Sequence, residues 1–450
     1  MTETATLILP DGTRTVLPTV VGTEGERAVN IASLRDQTGY ITLDDGYPNT
    51  GSCASRISFI DGEQGILRYR GYGVGDLAKH CSFIEVAQLL IWGELPTADQ
   101  RARFSDLLTE NCALPEDFRR HFDAFPVHAH PMSIMSAMIN ALQAYDLPGQ
   151  YIDDDEQFER VSAALLSKVR TIAAASYKSS IGEPITYPRY DYRYVENFLH
   201  MMFSKPYRDY VPSAEATAAL NLFLLLHADH EQNCSTSTVR MVASSQANLY
   251  TSVSAGVCAL WGRLHGGANQ AVIEMLTTIR KSGMTAHEYI SKVKNRAEGI
   301  RLMGFGHRVY RNFDPRALIL KSACDDLLNS LNVTDPRLDI ARELEAVALA
   351  DDYFISRRLY PNVDFYSGII LTALGIPVDM FTVLFAIGRM PGWIANWKEV
   401  RDQEARIYRP RQVYIGPSAR EWVNRFQREK EATSGGFKVP DELRVDNGQD

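Results

Sequence analysis

Apolar and polar positions recur at two different periods along this chain of 450 residues. Near the N-terminus, TATLILPDGTRTVLPTVVG alternates apolar and polar residues around Asp11-Gly12, which predicts a β-hairpin with a tight turn. ITLDDG and RISFIDGEQGILRYRG (Arg56 to Gly71) read as further short strands with Asp-Gly turns. Residues 1–70 are therefore predicted to be a small β-rich module. Beyond Gly75 the apolar spacing becomes three and four. SFIEVAQLLIWGELP (Ser82 to Pro96) is a capped helix stopped by Gly93 and Pro96. PMSIMSAMINALQAYD, FERVSAALLSKVRTIAAASYK, SAEATAALNLFLLLHADHE, AVIEMLTTIRKSG and ARELEAVALADDYFI repeat that pattern. The body is predicted to be mainly α, with no solenoid-type repeat. A break at Gly283 and another near Pro377 mark a second lobe over residues 275–385, and without long linkers the lobes should share a cleft.

YSGIILTALGIPVDMFTVLFAIG (Tyr366 to Gly388) is apolar enough to raise the question of a membrane span. Gly375-Ile376-Pro377 and Asp379 interrupt it, which predicts a pair of buried helices instead. No basic segment followed by an apolar one opens the sequence, so no secretory signal is expected. The net charge of -8 argues against a general nucleic-acid binder. The six cysteines are scattered and form no CxxC pair, as suits reduced cytosolic thiols better than disulfides or a zinc ribbon.

Against that acidic background, MGFGHRVYRNFDPRA (Met303 to Ala317) concentrates cations around a glycine turn, Gly304 and Gly306. His307 is followed by Arg308, Arg311 and Arg316, which points to a small anionic ligand or, more plainly, to a solvated face. The stretch is neither GxGxxG nor a P-loop. LHADHEQNCSTSTVR (Leu226 to Arg240) places His227 and His230 three apart at the end of an apolar helix. Its order is HxxHE and not HExxH, so no metal is expected. His227 reads as a helix-end residue. His230 is the better ligand-binding candidate, with Asn233, Ser235 and Thr236 after it.

LWGRLHGGANQA sets His265 before Gly266-Gly267 and a helix start near Ala268. A neutral histidine there could donate a hydrogen bond to an oxygen becoming negative, or could be incidental to the turn. In LYPNVDFYSGIIL, Asp364 is a carboxylate in apolar company, either a strengthened base or a helix N-cap. Arg389 in AIGRMPGW, with Arg409 and Arg411 in YRPRQ, could join Arg316 on a dicarboxylate. Two histidines, one carboxylate base and several arginines are the means to remove a proton beside a carbonyl and stabilise an enolate.

LHADHEQN, HGGAN, GFGHRVYRNFDPRA, PNVDFYSG and the later RPRQ stand in the order and spacing of the citrate synthase family, which the chain resembles over essentially its whole length. The β module resembles that of the bacterial, hexameric branch. The resemblance implies a citrate synthase fold: the N-terminal module, a large helical domain (71–274 and 386–430), a small helical domain (275–385) closing over the site, and a flexible tail (431–450). It implies condensation of acetyl-CoA with oxaloacetate in the cytoplasm, without metal or cofactor, acetyl-CoA being a substrate.

By that resemblance Asp364 would take the methyl proton, His265 would stabilise the enol and His307 would polarise the ketone of oxaloacetate. His230, Asn233, Arg316, Arg389 and Arg409 would hold oxaloacetate, Arg409 from a neighbouring subunit. Arg311, Gly304 and Gly306 would meet CoA. A homo-oligomer follows, a hexamer by branch or a dimer. Two alternatives stand beside this reading: 2-methylcitrate synthase, using propionyl-CoA, and a dicarboxylate- or nucleotide-binding regulator without turnover, which would need no buried base. LLTENCALPED and VSAALLSKVR are poor in the arginine and histidine of the branch's NADH pocket, which leaves inhibition by NADH unsupported.

Overall fold

Hydrogen bonding at the Asp11-Gly12 turn shows why the first hairpin forms. Gly12 takes a left-handed φ of 84° and Asp11 accepts the Thr13 N–H at 2.9 Å. Strand β1 (Thr4–Ile8) then pairs antiparallel with β2 (Arg14–Val21), Thr4 opposite Pro18, and β3 (Arg27–Val29) pairs with the far half of β2. The computed structural model describes residues 3–146, 152, 154–297, 299–331, 335–403 and 406–425. It divides into two units, residues 1–54 with 409–450, and residues 55–408. The tail at 431–450 lies outside the described residues. The first unit holds β1 to β3 and a short helix, α1 (Leu34–Thr38), closed by Gly39 in the left-handed region. ITLDDG forms no strand, contrary to expectation. The Asp44 carboxylate instead accepts from the Asn49 N–H and the Thr50 hydroxyl, a local loop that competes with a ladder.

The second unit opens with a separate antiparallel sheet, β4 (Ser58–Asp61), β5 (Ile66–Tyr69) and β6 (Tyr72–Gly73). Helices follow: α2 (Val74–His80), α3 (Phe83–Trp92), α4 (Ala98–Glu110), α5 (Glu116–Arg119), α6 (Pro131–Leu142), α7 (Asp155–Ser180), α8 (Tyr194–Phe203), α9 (Ala214–Leu226) and α10 (Cys234–Ala243). Then come α11 (Leu249–Leu260), α12 (Ala268–Ser282), α13 (Ala286–Lys294), α14 (Pro315–Leu331), α15 (Pro336–Leu349), α16 (Asp352–Ser356), α17 (Val363–Ala373) and α18 (Phe381–Asp402). The protein is thus mainly helical with small strand modules.

Local chemistry sets many of these boundaries. Ser82 with Glu85, Thr97 with Gln100 and Thr285 with Glu288 form reciprocal capping boxes at α3, α4 and α13. ARELEAVALADDYFI, which reads as one helix, breaks at Asp351, whose carboxylate accepts from the Tyr353 N–H and starts α16.

Helix α18 is the axis of the core. It is apolar all round and packs against α3, α7, α9, α10 and α11. The stretch Val378–Asp402 is the one described segment long and apolar enough to cross a membrane, and 89% of its most apolar window is buried against the protein's own helices. Gly375, with φ of 75°, separates it from α17, so the long apolar run is two buried helices.

Candidate active site

The glycine turn that carries His307 is built against the start of the helix that carries Asp364. Gly304 and Gly306 have φ of 80° and 78°. A Cβ on Gly304 would lie 2.8 Å from Val272 and 2.9 Å from Phe365, so this turn admits no side chain. The Asn362 N–H donates to the Gly304 carbonyl at 2.9 Å, the Gly306 N–H to the Tyr360 carbonyl at 2.8 Å, and the Asn362 amide to the Gly306 carbonyl at 2.8 Å. Phe305 and Pro361 form an antiparallel bridge between them. Asn362 also caps α17, accepting from the Asp364 N–H at 3.0 Å. The N-cap reading of Asp364 is thereby excluded, since Asn362 takes that place.

Asp364 stands in the first turn of α17, half-buried, and its carboxylate accepts no hydrogen bond from the described residues. Burial pushes its pKa up to about 6, against the opposing pull of the Arg316 cation.

Both candidate catalytic histidines are neutral, and backbone amides select the tautomer of each. The Val309 and Tyr310 N–H groups both donate to His307 Nδ1, at 3.0 and 3.2 Å, so the ring proton sits on Nε2. His265 hangs in the turn between α11 and α12. Gly266 makes that turn possible, because a Cβ there would lie 2.4 Å from the Leu260 carbonyl. The Ser235 N–H, in the first turn of α10, donates to His265 Nε2 at 3.2 Å, and the Ser235 hydroxyl lies 2.8 Å from the same nitrogen; because a backbone N–H can only donate, Nε2 accepts and the ring proton sits on Nδ1. Burial first, then nearby arginine charge, lowers both histidines to about 4.

His230 is buried. Its Nε2 meets the Tyr310 hydroxyl at 3.2 Å, and its ring lies 5.4 Å from that of His307. Burial, with Arg316 and His307 next in weight, keeps it neutral well below its usual range. Asn233 is committed elsewhere. Its oxygen accepts from Thr236 N–H and the Ser235 hydroxyl, and its amide donates to the His230 and Glu231 carbonyls, so it caps α10 and holds the loop. His227 closes α9 as the sequence suggested, bonding the Phe223 carbonyl through Nδ1 at 2.7 Å.

Two buried arginines face this group. Arg316 grips Asp314 through Nε and Nη2 at 3.0 and 2.9 Å. Asp314 in turn accepts the Val363 N–H at 3.2 Å, which ties the start of α14 to the start of α17. Arg389, on α18, donates Nε to the His227 carbonyl at 2.7 Å, and its Nη1 is buried without a hydrogen-bond partner. Burial lowers its pKa to about 10, so it remains a cation at neutral pH.

His230, His307, Arg316, Arg389, Asp364 and His265 are thus linked through one set of loops and helix ends. Arg311 is exposed, and its N–H donates to the Gly62 carbonyl at 2.9 Å. Arg409 is exposed and belongs to the other unit of the chain.

Sequence reasoning missed Tyr310, Asp314 and Asn362. Each lies inside a quoted motif, but only the fold shows that Tyr310 meets His230, that Asp314 orients Arg316, or that Asn362 bonds the Gly306 turn.

The family model described as citrate synthase, C-terminal domain, matches residues 46–411. The chain is 52% identical over 422 residues to citrate synthase 1 of Mycobacterium tuberculosis, covering 94% of this chain and 98% of that one. It is 49% identical over 411 residues to citrate synthase of Corynebacterium glutamicum, covering 91% and 94%. Among solved structures, citrate synthase from Pyrobaculum aerophilum superposes with a TM-score of 0.76 at 35% identity, over 91% of this chain and 97% of that one. A ternary complex of carboxymethyl coenzyme A and oxaloacetate with citrate synthase from Thermoplasma acidophilum gives 0.77 at 29% identity, over 86% and 100%.

Proposed function

Because this chain belongs to the citrate synthase family, its reaction is the condensation of acetyl-CoA with oxaloacetate and water to citrate and free CoA, and we propose which side chains carry each step. Asp364 removes a methyl proton from acetyl-CoA. A carboxylate raised to about 6 and without hydrogen-bond donors is a stronger base than one in water, and it is still ionised at neutral pH. His265 donates Nδ1–H to the thioester oxygen as it becomes the enol oxygen. The enol carbon then attacks the ketone carbon of oxaloacetate, whose oxygen takes its proton from His307 Nε2. Water hydrolyses the resulting citryl-CoA thioester and releases CoA.

The carrying observation is the pair of backbone-selected tautomers, which gives each neutral histidine one N–H to donate. Neutral donors of this kind stabilise developing negative charge without first losing a proton to solvent.

His230, Arg316 and Arg389 hold oxaloacetate, and the buried unpartnered Nη1 of Arg389 is suited to a substrate carboxylate. Arg409 completes the set from a neighbouring subunit of a homo-oligomer, a hexamer by the branch resemblance. Asn233 supports this site through the loop it caps. Arg311 and the Gly304–Gly306 turn face CoA. Residues 275–385 close over oxaloacetate before acetyl-CoA enters, which keeps water from the enol. Six free cysteines suit a cytoplasmic enzyme.

Release of free CoA thiol from acetyl-CoA plus oxaloacetate, repeated with propionyl-CoA, tests the reading. Fast release with acetyl-CoA and slow release with propionyl-CoA is expected. The reverse preference makes the chain a 2-methylcitrate synthase with the same catalytic set, and no release from either overturns the roles assigned here.

A further inference from the structure

The β4–β5 hairpin carries none of the groups assigned to the reaction, yet it meets both histidine loops. Ser58 and Tyr69 are directly opposed across the antiparallel pair, so their side chains leave the same face. Both end on Asp229, the residue before His230. Ser58 donates its hydroxyl to Asp229 Oδ2 at 2.6 Å, and Tyr69 donates its phenol to the Asp229 carbonyl at 2.9 Å. The same carboxylate oxygen accepts the Glu231 N–H at 3.2 Å, where Glu231 sits at a strained φ of 51°. Ser58 and Asp229 together hold the bend that presents His230.

The hairpin turn reaches the other loop. The Gly62 carbonyl accepts the Arg311 N–H at 2.9 Å. A Cβ on Gly62 would lie 2.2 Å from the Val309 carbonyl oxygen, and one on Gly65 2.7 Å from that of Phe313. Gly62 does not occupy the left-handed region, so what the position requires is the missing side chain, not an unusual φ. The Val309 carbonyl shares a planar peptide with the Tyr310 N–H, which donates to His307 Nδ1. Anything that pushes that carbonyl tilts one of the two amides that hold the His307 ring.

We propose that the β4–β5 hairpin is a positioning element of the active site. Ser58, through Asp229, and Gly62, through the Val309–Tyr310 peptide, set the separation and orientation of His230 and His307. Neither residue touches substrate. The inference rests on the roles given above to those two histidines.

The test is Ser58→Ala and Gly62→Ala in the full chain. Calorimetry gives the oxaloacetate Kd, steady-state kinetics give kcat and the KM for acetyl-CoA at saturating oxaloacetate, and thermal melting gives stability. Gly62→Ala is expected to lower kcat on the order of 100-fold, as displacements of about 1 Å do, with the acetyl-CoA KM within about twofold of the parent's. Ser58→Ala removes one hydrogen bond and is expected to raise the oxaloacetate Kd about five- to tenfold. Variants that melt earlier but keep the parent's Kd and kcat per folded molecule would overturn the proposal, because the hairpin would then be scaffold alone. If Gly62→Ala does not fold, Ser58→Ala decides, and an unchanged Kd sinks the idea. A parent protein that binds oxaloacetate but releases no CoA would refute the reaction roles, and the Kd comparison would still test the hairpin.

Discussion

Asp364 shows how much one residue's surroundings decide. In water an aspartate is a weak base. Here burial raises it to about 6, while Arg316 and Arg389 keep it from rising further. The acid limb of kcat/KM for acetyl-CoA is therefore expected to be a single protonation near pH 6, because His265 and His307 charge only at about 4. A limb at pH 4 would exclude Asp364 as the base. The same shift has a stability cost. A carboxyl whose folded pKa exceeds its unfolded value favours the folded state below about 4, and that advantage is lost as pH rises through about 6. Asp364→Asn should therefore lose turnover, keep oxaloacetate affinity and melt at a higher temperature than the parent at pH 8. The gap should close toward pH 4, as melting curves across that range will show. An Asp364→Asn protein that still turns over would remove Asp364 from the role of base.

At the scale of elements, the site is assembled from helix beginnings. The first turns of α10, α14 and α17 bring together Ser235, Arg316 and Asp364, and a side chain of the preceding loop orients each start. Asn233 caps α10 and Asn362 caps α17, while Asp314 accepts from the Arg316 N–H at the head of α14. The dipoles of helix beginnings favour negative charge nearby, which suits a site for a dicarboxylate.

Asn362 joins two elements with one side chain, capping α17 with its oxygen and holding the Gly306 carbonyl with its amide. Asn362→Ala should cost about 1 kcal/mol for the cap and a larger fall in kcat than in stability. Asn362→Asp restores a cap acceptor but sets a carboxylate oxygen against the Gly306 carbonyl. Denaturant melts should show stability recovered in Asn362→Asp relative to Asn362→Ala, and CoA-release assays should show activity that stays low. Recovery of both would mean that the Gly306 bond is dispensable.

For the whole molecule, the test falls on Arg409, the residue proposed to come from a neighbouring subunit. Arg409 is exposed in a separate unit from the histidine loops. If it completes a neighbour's site, co-expressed Arg409→Leu and Asp364→Asn chains should regain activity that neither has alone. Random pairing in a two-fold arrangement makes roughly a quarter of the sites whole. No complementation would return Arg409 to its own subunit's site. Closure gives a second test at this scale. Oxaloacetate alone is expected to protect the segment 303–317 from limited proteolysis, followed by mass spectrometry of the fragments. Equal cleavage with and without it would argue against a closing lobe.

Much of this was legible in the residues themselves, for physical reasons that act locally. Period-two alternation around Asp11-Gly12 is a hairpin because glycine reaches the left-handed turn there. Period three and four between cap and glycine is a helix, as at Ser82 to Gly93, because the caps satisfy the end groups. The ordered motifs pointed to the family and carried His230, His265, His307, Arg316 and Asp364 as candidates, with Arg389 offered by AIGRMPGW, because each reactive type stands out against its neighbours. ITLDDG misled, since Asp44 offers the backbone a local partner that no alternation pattern records. The tautomer of His265, the raised carboxyl of Asp364, and the hairpin pressed against Val309 were decided only by tertiary structure. Each depends on a donor, an enclosure or a wall brought from a distant part of the chain: Ser235 for His265, burial that outweighs the pull of Arg316 and Arg389 for Asp364, Gly62 for the His307 loop. Residue order specifies which groups the chain possesses, and burial and distance specify what those groups can do.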